Sequence, residues 1–358
     1  MGIQINDTVA LSDIPLLLTT VGKDITVVLK GEPGIGKSSA LHTLEDVLGD
    51  AYDYIYVDCP VQDLSDIVMR IPNHGTKSLE AYVSSLFRFD SPKPKVIMLD
   101  EFMKTNKLLQ TLFTRLMLER SVGDKALPAG SIVFATSNHS SDGVGDAMLA
   151  HAGNRVMVVN VDKPRHVAWN LWASSRGISS VLRAWVAMNP KCLASYLDGE
   201  QDDNEFIFNP TRRGMVSFVS PRSLAKVDVV VKNHNKLGRS LTRAGLAGTC
   251  GVAFANAFEA YLMLEKELVS VRTIINDPLN TPIPEKPAAL FMTMFNAVDT
   301  IETQDDLSSF MEFVNRIKSE EIQECFFTMA LQGRISKLAS RNLQMKEWGV
   351  KNLPLMMP

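Results

Sequence analysis

Residues 31–38 read Gly31-Glu32-Pro33-Gly34-Ile35-Gly36-Lys37-Ser38 and match G-x-x-x-x-G-K-[ST] at every fixed position. The spacing has a physical reason. Glycines let the backbone adopt conformations that a Cβ forbids, so successive N–H groups can converge on a polyphosphate. Lys37 brings a compact positive charge to the β- and γ-phosphates, and the Ser38 hydroxyl can ligate Mg²⁺. A helix opening at about Lys37 adds the positive end of its dipole. The flanks agree. Ile25-Thr26-Val27-Val28-Leu29 is an apolar, β-branched run of buried-strand length, and Ala40, Leu41, Leu44, Val47 and Leu48 recur at helical spacing. Strand, glycine loop and helix together imply a bound nucleoside triphosphate, with Gly31, Glu32, Pro33, Gly34, Ile35, Gly36, Lys37, Ser38 and Ser39 as the binding run.

At 358 residues the chain exceeds one compact core and implies two or three domains. A formal net charge of −3 supplies no general attraction for nucleic acid, although a local basic patch is compatible with it. Cys59, Cys192, Cys250 and Cys325 are scattered without a C-x-x-C pair, which suits a reducing compartment and speaks against a zinc site. The N-terminus lacks a basic segment followed by an apolar core, and the uncharged stretch 244–258 is too short and too rich in Gly and Ala to span a bilayer. A cytoplasmic protein is expected.

In chain order, residues 1–24 read as a helical lead-in with Ile14, Leu16, Leu17 and Leu18 as its apolar face, and Tyr54–Asp58 as a second strand. The stretch 59–94, broken by Pro60, Pro72, Gly75, Pro92 and Pro94, suggests an inserted arm with a helical piece near 79–87. Lys95-Val96-Ile97-Met98-Leu99-Asp100-Glu101 is a buried strand that delivers two carboxylates at its C-terminal end, where α/β sheets place ligands. In a phosphate-loop protein such an Asp100 holds Mg²⁺ and the adjacent Glu101 can polarise the attacking water. Leu108, Leu109, Leu112, Phe113, Leu116 and Met117 then trace one helical stripe.

Ile132–Thr136 reads as another strand ending in Ser137-Asn138. Asn138 alone is a common turn-former, yet at this place its amide could reach the γ-phosphate or orient the water. Gly143, Gly145 and Gly153 punctuate a loop before a fifth strand at 155–159. Five strands with intervening helices predict a parallel αβα sandwich of P-loop type over 1–164. An all-α lid over 165–285 and a helical C-terminal module over 286–358 follow. Ser220-Pro221-Arg222-Ser223 opens a capped helix, Thr303 with Asp306 resembles a capping box, and Gly245, Gly248 and Gly251 suggest close helix packing. Lys232, Lys236, Arg239 and Arg243 could form a basic strip or a solvated face.

The ordered runs GEPGIGKSS, VIMLDEF, ATSN, Gly153-Asn154-Arg155 and SPRSL resemble the AAA+ ATPases, and within them the MoxR branch of bacteria and their phages. The resemblance covers about residues 10–250. It implies that Gly31–Ser38 is Walker A, that Asp100 and Glu101 are the Walker B pair, and that Asn138 ends the sensor 1 strand. It also implies that Arg155 is an arginine finger reaching the next subunit's γ-phosphate and that Arg222 is sensor 2. The arm over Val61–Pro72 departs from the branch's Gly-x-Pro ending, having Arg70-Ile71-Pro72.

Three functions follow as expectations. The first is an ATP- and Mg²⁺-dependent ring, a homo-oligomer of hexameric type, that remodels a protein partner; the resemblance suggests one carrying a von Willebrand factor A domain, in the cytoplasm of a bacterial or phage-infected cell. The second is a nucleic-acid-associated motor using the 232–243 strip, against which the acidic balance counts. The third is a nucleotide-gated interaction module with little turnover, against which the intact Glu101 counts. Asn106-Lys107 is followed by Leu108-Leu109, so the guanine-reading N-K-x-D is absent there.

Overall fold

The computed structural model describes residues 7–139, 154–212, 214–264 and 268–352; the expected loop glycines Gly143, Gly145 and Gly153 lie outside them. The strands in chain order are β1 (Thr8–Val9), β2 (Val27–Lys30), β3 (Asp53–Asp58), β4 (Val68–Asn73), β5 (Ser78–Val83), β6 (Lys95–Asp100), β7 (Ser121–Val122), β8 (Lys125–Ala126), β9 (Ile132–Ser137) and β10 (Met157–Val161). Six of them form one parallel sheet in the order β1-β10-β2-β9-β6-β3.

Both faces of this sheet are covered, and side-chain alternation divides its residues between two apolar layers. Val28, Ile55, Val57, Ile97, Leu99, Val133 and Ala135 point to the layer that holds Leu109, Phe113, Leu116 and Met117 of the helix Lys107–Glu119. Their neighbours Val27, Leu29, Val96, Met98, Ile132 and Phe134 point the other way, onto α1 (Ile14–Val21) and α2 (Ala40–Leu48). All six residues of β6 and all six of β9 are buried, which is why these strands read as unbroken apolar runs.

Two features of this half differ from the sequence expectation. The sheet has six strands rather than five. The extra one, β1, is a two-residue edge strand paired with β10 and tied by Thr8 Oγ1 donating to Asp162 Oδ2 at 2.8 Å; it is too short to carry a periodic signal. The second difference is the arm. Residues 79–87 are not a helix but β5 followed by a short 3₁₀ turn, Ser85–Phe87, and β5 pairs antiparallel with β4 from Val68↔Val83 to Asn73↔Ser78. Leu79, Tyr82, Val83, Leu86 and Phe87 do recur at helical intervals, but the spacing straddles two elements. The Asn73 carboxamide closes the hairpin by accepting from Gly75 N at 2.9 Å and Thr76 N at 3.2 Å.

Contacts divide the chain into two units: 1–163 with 209–213, and 164–208 with 214–358. In the second unit the stretches 165–285 and 286–358, set apart on sequence, share one core that includes Trp185, Phe254, Phe258, Phe295, Phe310 and Phe326. Trp185 stands edge-on to Phe254 at 4.9 Å and to Phe258 at 6.0 Å. The fully buried Arg183 pairs with Asp299 and lies 5.3 Å from the Phe295 ring, joining the two stretches directly. The Thr303/Asp306 capping box forms as expected, and the expected capped start at Ser220 is a capping box with Ser223. No helix among the described residues is long and apolar enough to cross a membrane.

Candidate functional site

The sheet order places β2, β9, β6 and β3 side by side, so residues at their C-terminal ends converge. Register aligns them: Lys30 sits opposite Ser137, Leu99 opposite Ala135, and Asp58 opposite Asp100. The phosphate-loop motif follows β2. Gly34 and Gly36 take φ of 78° and 111°, in the left-handed region where a side chain is strained. A Cβ on Gly31 would come 2.6 Å from Ile35 Cδ1 and 3.0 Å from the Val161 carbonyl oxygen, so a side chain on the loop's first residue would have to displace its neighbours. Ile35 is buried in the core and anchors the loop from beneath, while Glu32 is buried beside Lys163, with 3.4 Å between carboxylate and ammonium. A 3₁₀ turn, Lys37–Ser39, leads into α2, and the Ser39 hydroxyl donates to the Gly36 carbonyl at 2.6 Å.

Lys37 is buried, and its ammonium donates to the Gly31 carbonyl at 2.6 Å, the Glu32 carbonyl at 2.8 Å and Asn138 Oδ1 at 3.1 Å. Asn138 therefore joins the loop rather than serving only as a turn residue. Ser38 Oγ donates to Asp100, 3.2 and 3.1 Å from the two carboxylate oxygens. The same carboxylate accepts from the Tyr56 hydroxyl at 2.8 Å and from Thr136 Oγ1. Burial pushes the Tyr56 phenol well above its usual range and the adjacent Asp100 adds to that, so Tyr56 stays protonated and donates. Thr136 Oγ1 also accepts from the Glu101 backbone N–H at 3.1 Å. Neither Tyr56 nor Thr136 was singled out by sequence; Thr136 stands within the ATSN run, whereas nothing local marks Tyr56.

The arrangement fits the groups the motif implies. Ser38 and Asp100 present hard oxygen donors next to each other, the set Mg²⁺ prefers, and the loop backbone with Lys37 presents donors for phosphate oxygens. Glu101 adopts φ 51° immediately beyond β6, with its side chain partly exposed and its carboxylate 2.6 Å from the Lys104 ammonium.

Arg155 is exposed in the turn before β10, and Met157 pairs with Val27 at the start of β2. Arg155 thus sits at the N-terminal edge of the sheet, while the loop follows Lys30 at the C-terminal edge, separated by four strand residues or about 13 Å. The structure does not bring Arg155 to the loop. Arg222 belongs to the second unit, where it is exposed in the first turn of the helix Pro221–Lys232.

Fold and site together define a P-loop nucleotide-binding αβα domain followed by a helical unit. No protein-family model and no curated protein matches the sequence. Among solved structures, the chain is similar to a presumed ATPase from Cytophaga hutchinsonii (16% identity, 96% of this chain and 88% of that one, TM-score 0.34). It is also similar to a point mutant of RuvB from Thermotoga maritima (13% identity, 87% and 90%, TM-score 0.39). A third similarity is to NtrX from Brucella abortus in complex with ADP (12% identity, 97% and 68%, TM-score 0.37). These overlaps are loose, and the functional reading rests on the chain's own geometry.

Proposed function

We propose that the protein is an AAA+-type ATPase that hydrolyses ATP at the interfaces of a homo-oligomeric ring and uses the cycle to remodel a protein partner, as in the MoxR branch. The observation that carries the reading is the joined set Lys37–Asn138 and Ser38–Asp100–Thr136 at one edge of the sheet, with Glu101 next to it. Binding, metal and base residues meet there from three adjacent strands. Mg²⁺ bound at Ser38 and Asp100 would neutralise charge developing on the phosphate oxygens. Lys37 and the loop N–H groups hold the β- and γ-phosphates. Asn138 orients the γ-phosphate or the attacking water, and Glu101 accepts that water's proton through its carboxylate.

The remaining positive charge comes from outside the subunit in this reading. Arg155 stands at the far edge of the sheet from its own loop, which suits a residue supplied to a neighbour. An arginine supplied in trans accelerates such transfers by about 10³–10⁵. Arg222, in the helical unit, is the proposed sensor of nucleotide state. The partner is proposed, on resemblance alone, to carry a von Willebrand factor A domain.

The nucleic-acid reading loses support at the 232–243 strip. Lys232 pairs with Asp228 at 2.6 Å, and Arg239 and Arg243 both pair with Glu259, at 2.6 and 2.7 Å. Asp228 and Glu259 together offset two of the strip's four positive charges within the chain.

The test is ATP hydrolysis per subunit across a wide range of protein concentration. A rate that climbs with assembly supports catalysis at shared interfaces; a high, flat rate down to monomer removes the ring.

A further inference from the structure

Glu101 is held at its backbone by two hydrogen bonds: its N–H donates to Thr136 Oγ1 at 3.1 Å, and its carbonyl accepts from Lys104 N at 2.8 Å. The left-handed φ of 51° is strained for a non-glycine residue and is held in place by its surroundings. The turn that follows, Phe102–Lys104, is pinned by Phe102 and Met103, both buried in the core under the sheet. Lys104 is thereby returned over Glu101, and its ammonium lies 2.6 Å from Glu101 Oε2.

The neighbouring groups are bonded to one another. Asp100 accepts from Ser38, Tyr56 and Thr136, and Asn138 accepts from Lys37. The Glu101 carboxylate bonds instead to Lys104, outside that network. An ammonium on Oε2 takes one of the carboxylate's acceptor sites and fixes the direction of the carboxylate. The pair is partly solvated, with side-chain exposures of 25% for Lys104 and 39% for Glu101. Such solvated i,i+3 pairs are weak, so this one opens readily.

We propose that Lys104 is a positioning residue that holds the Glu101 carboxylate aside in the resting site, so that each turnover requires exchange of this ion pair. The inference rests on Glu101 being the base of the proposed ATPase. It is a weak latch on catalysis, separate from nucleotide binding.

The test compares steady-state ATP hydrolysis by the full-length wild type and by Lys104→Met, Lys104→Arg and Glu101→Gln/Lys104→Met, with ATP affinity and thermal midpoint measured for each. The latch predicts that Lys104→Met raises kcat about two- to fivefold, the size a solvated ion pair allows, with KM for ATP within about twofold. Lys104→Arg restores the pair and the wild-type rate, and the double variant is inert because the gain acts through Glu101. An unchanged or lower kcat in Lys104→Met overturns the latch, as does a KM that rises in step with kcat. A wild type that binds ATP without turnover removes the enzyme reading as well. A wild type that turns over, with Lys104→Met no faster, removes the latch alone.

Discussion

Asp100 is the residue on which the site converges, since a loop serine, a threonine of β9 and a tyrosine of β3 all donate to its carboxylate. Partners that orient a metal-holding carboxylate typically alter metal affinity by about 10- to 100-fold when removed. Tyr56→Phe keeps the ring and deletes only the donor, while Ser38 and Thr136 remain. It should raise the Mg²⁺ concentration needed for half-maximal hydrolysis about tenfold and leave Mg²⁺-independent nucleotide binding unchanged, which a metal titration of both properties checks. Lys37, Ser38, Asp100 and Glu101 were legible in the sequence because motif spacing along one strand–loop–helix and one strand end encodes them. Tyr56 was not. It lies two residues before Asp58, the register partner of Asp100, so its contact is a diagonal across two strands that no local pattern encodes. Lys104 sits at a spacing of three from Glu101, but only the 3₁₀ turn makes that spacing a contact.

At the level of the elements, glycines that look alike in sequence separate by their neighbours. A Cβ on Gly245 would lie 2.9 Å from Val230 Cγ1 of the preceding helix, whereas one on Gly248 meets nothing within 4 Å. Gly251 ends its helix at φ 93° and faces the Ser217 carbonyl oxygen. Alanine improves helix propensity by up to about 1 kcal/mol at either helical site, but at Gly245 it must displace a short, stiff side chain at a cost of about 1–3 kcal/mol. Gly248→Ala should therefore raise the denaturant midpoint and Gly245→Ala lower it, a contrast that two equilibrium unfolding curves measure. The β4–β5 hairpin shows the opposite limit of local reading. Its apolar residues Met69, Ile71, Leu79 and Tyr82 are exposed, so burial imposes no alternation on them, and the pairing partner rather than the pattern makes the strand.

For the whole molecule, the position of Arg155 leads to a mixing experiment. Arg155→Ala and Glu101→Gln should each abolish hydrolysis while retaining ATP binding. If Arg155 acts across an interface, mixed assemblies contain some sites with an intact Glu101 from one subunit and an intact Arg155 from the next. Mixing the two inactive proteins should recover a measurable fraction of wild-type activity, maximal near equal proportions; no recovery would count against the trans role. The sequence by itself determined the phosphate loop, the buried strands beside it and the carboxylates at the strand end, because each depends on residues near one another along the chain. Only the tertiary structure decided the edge strand β1, the hairpin, the Tyr56–Asp100 and Lys104–Glu101 contacts, and the single core shared by 165–285 and 286–358. Those features depend on which elements pack against which, and that choice is made by burial and register between segments distant in sequence.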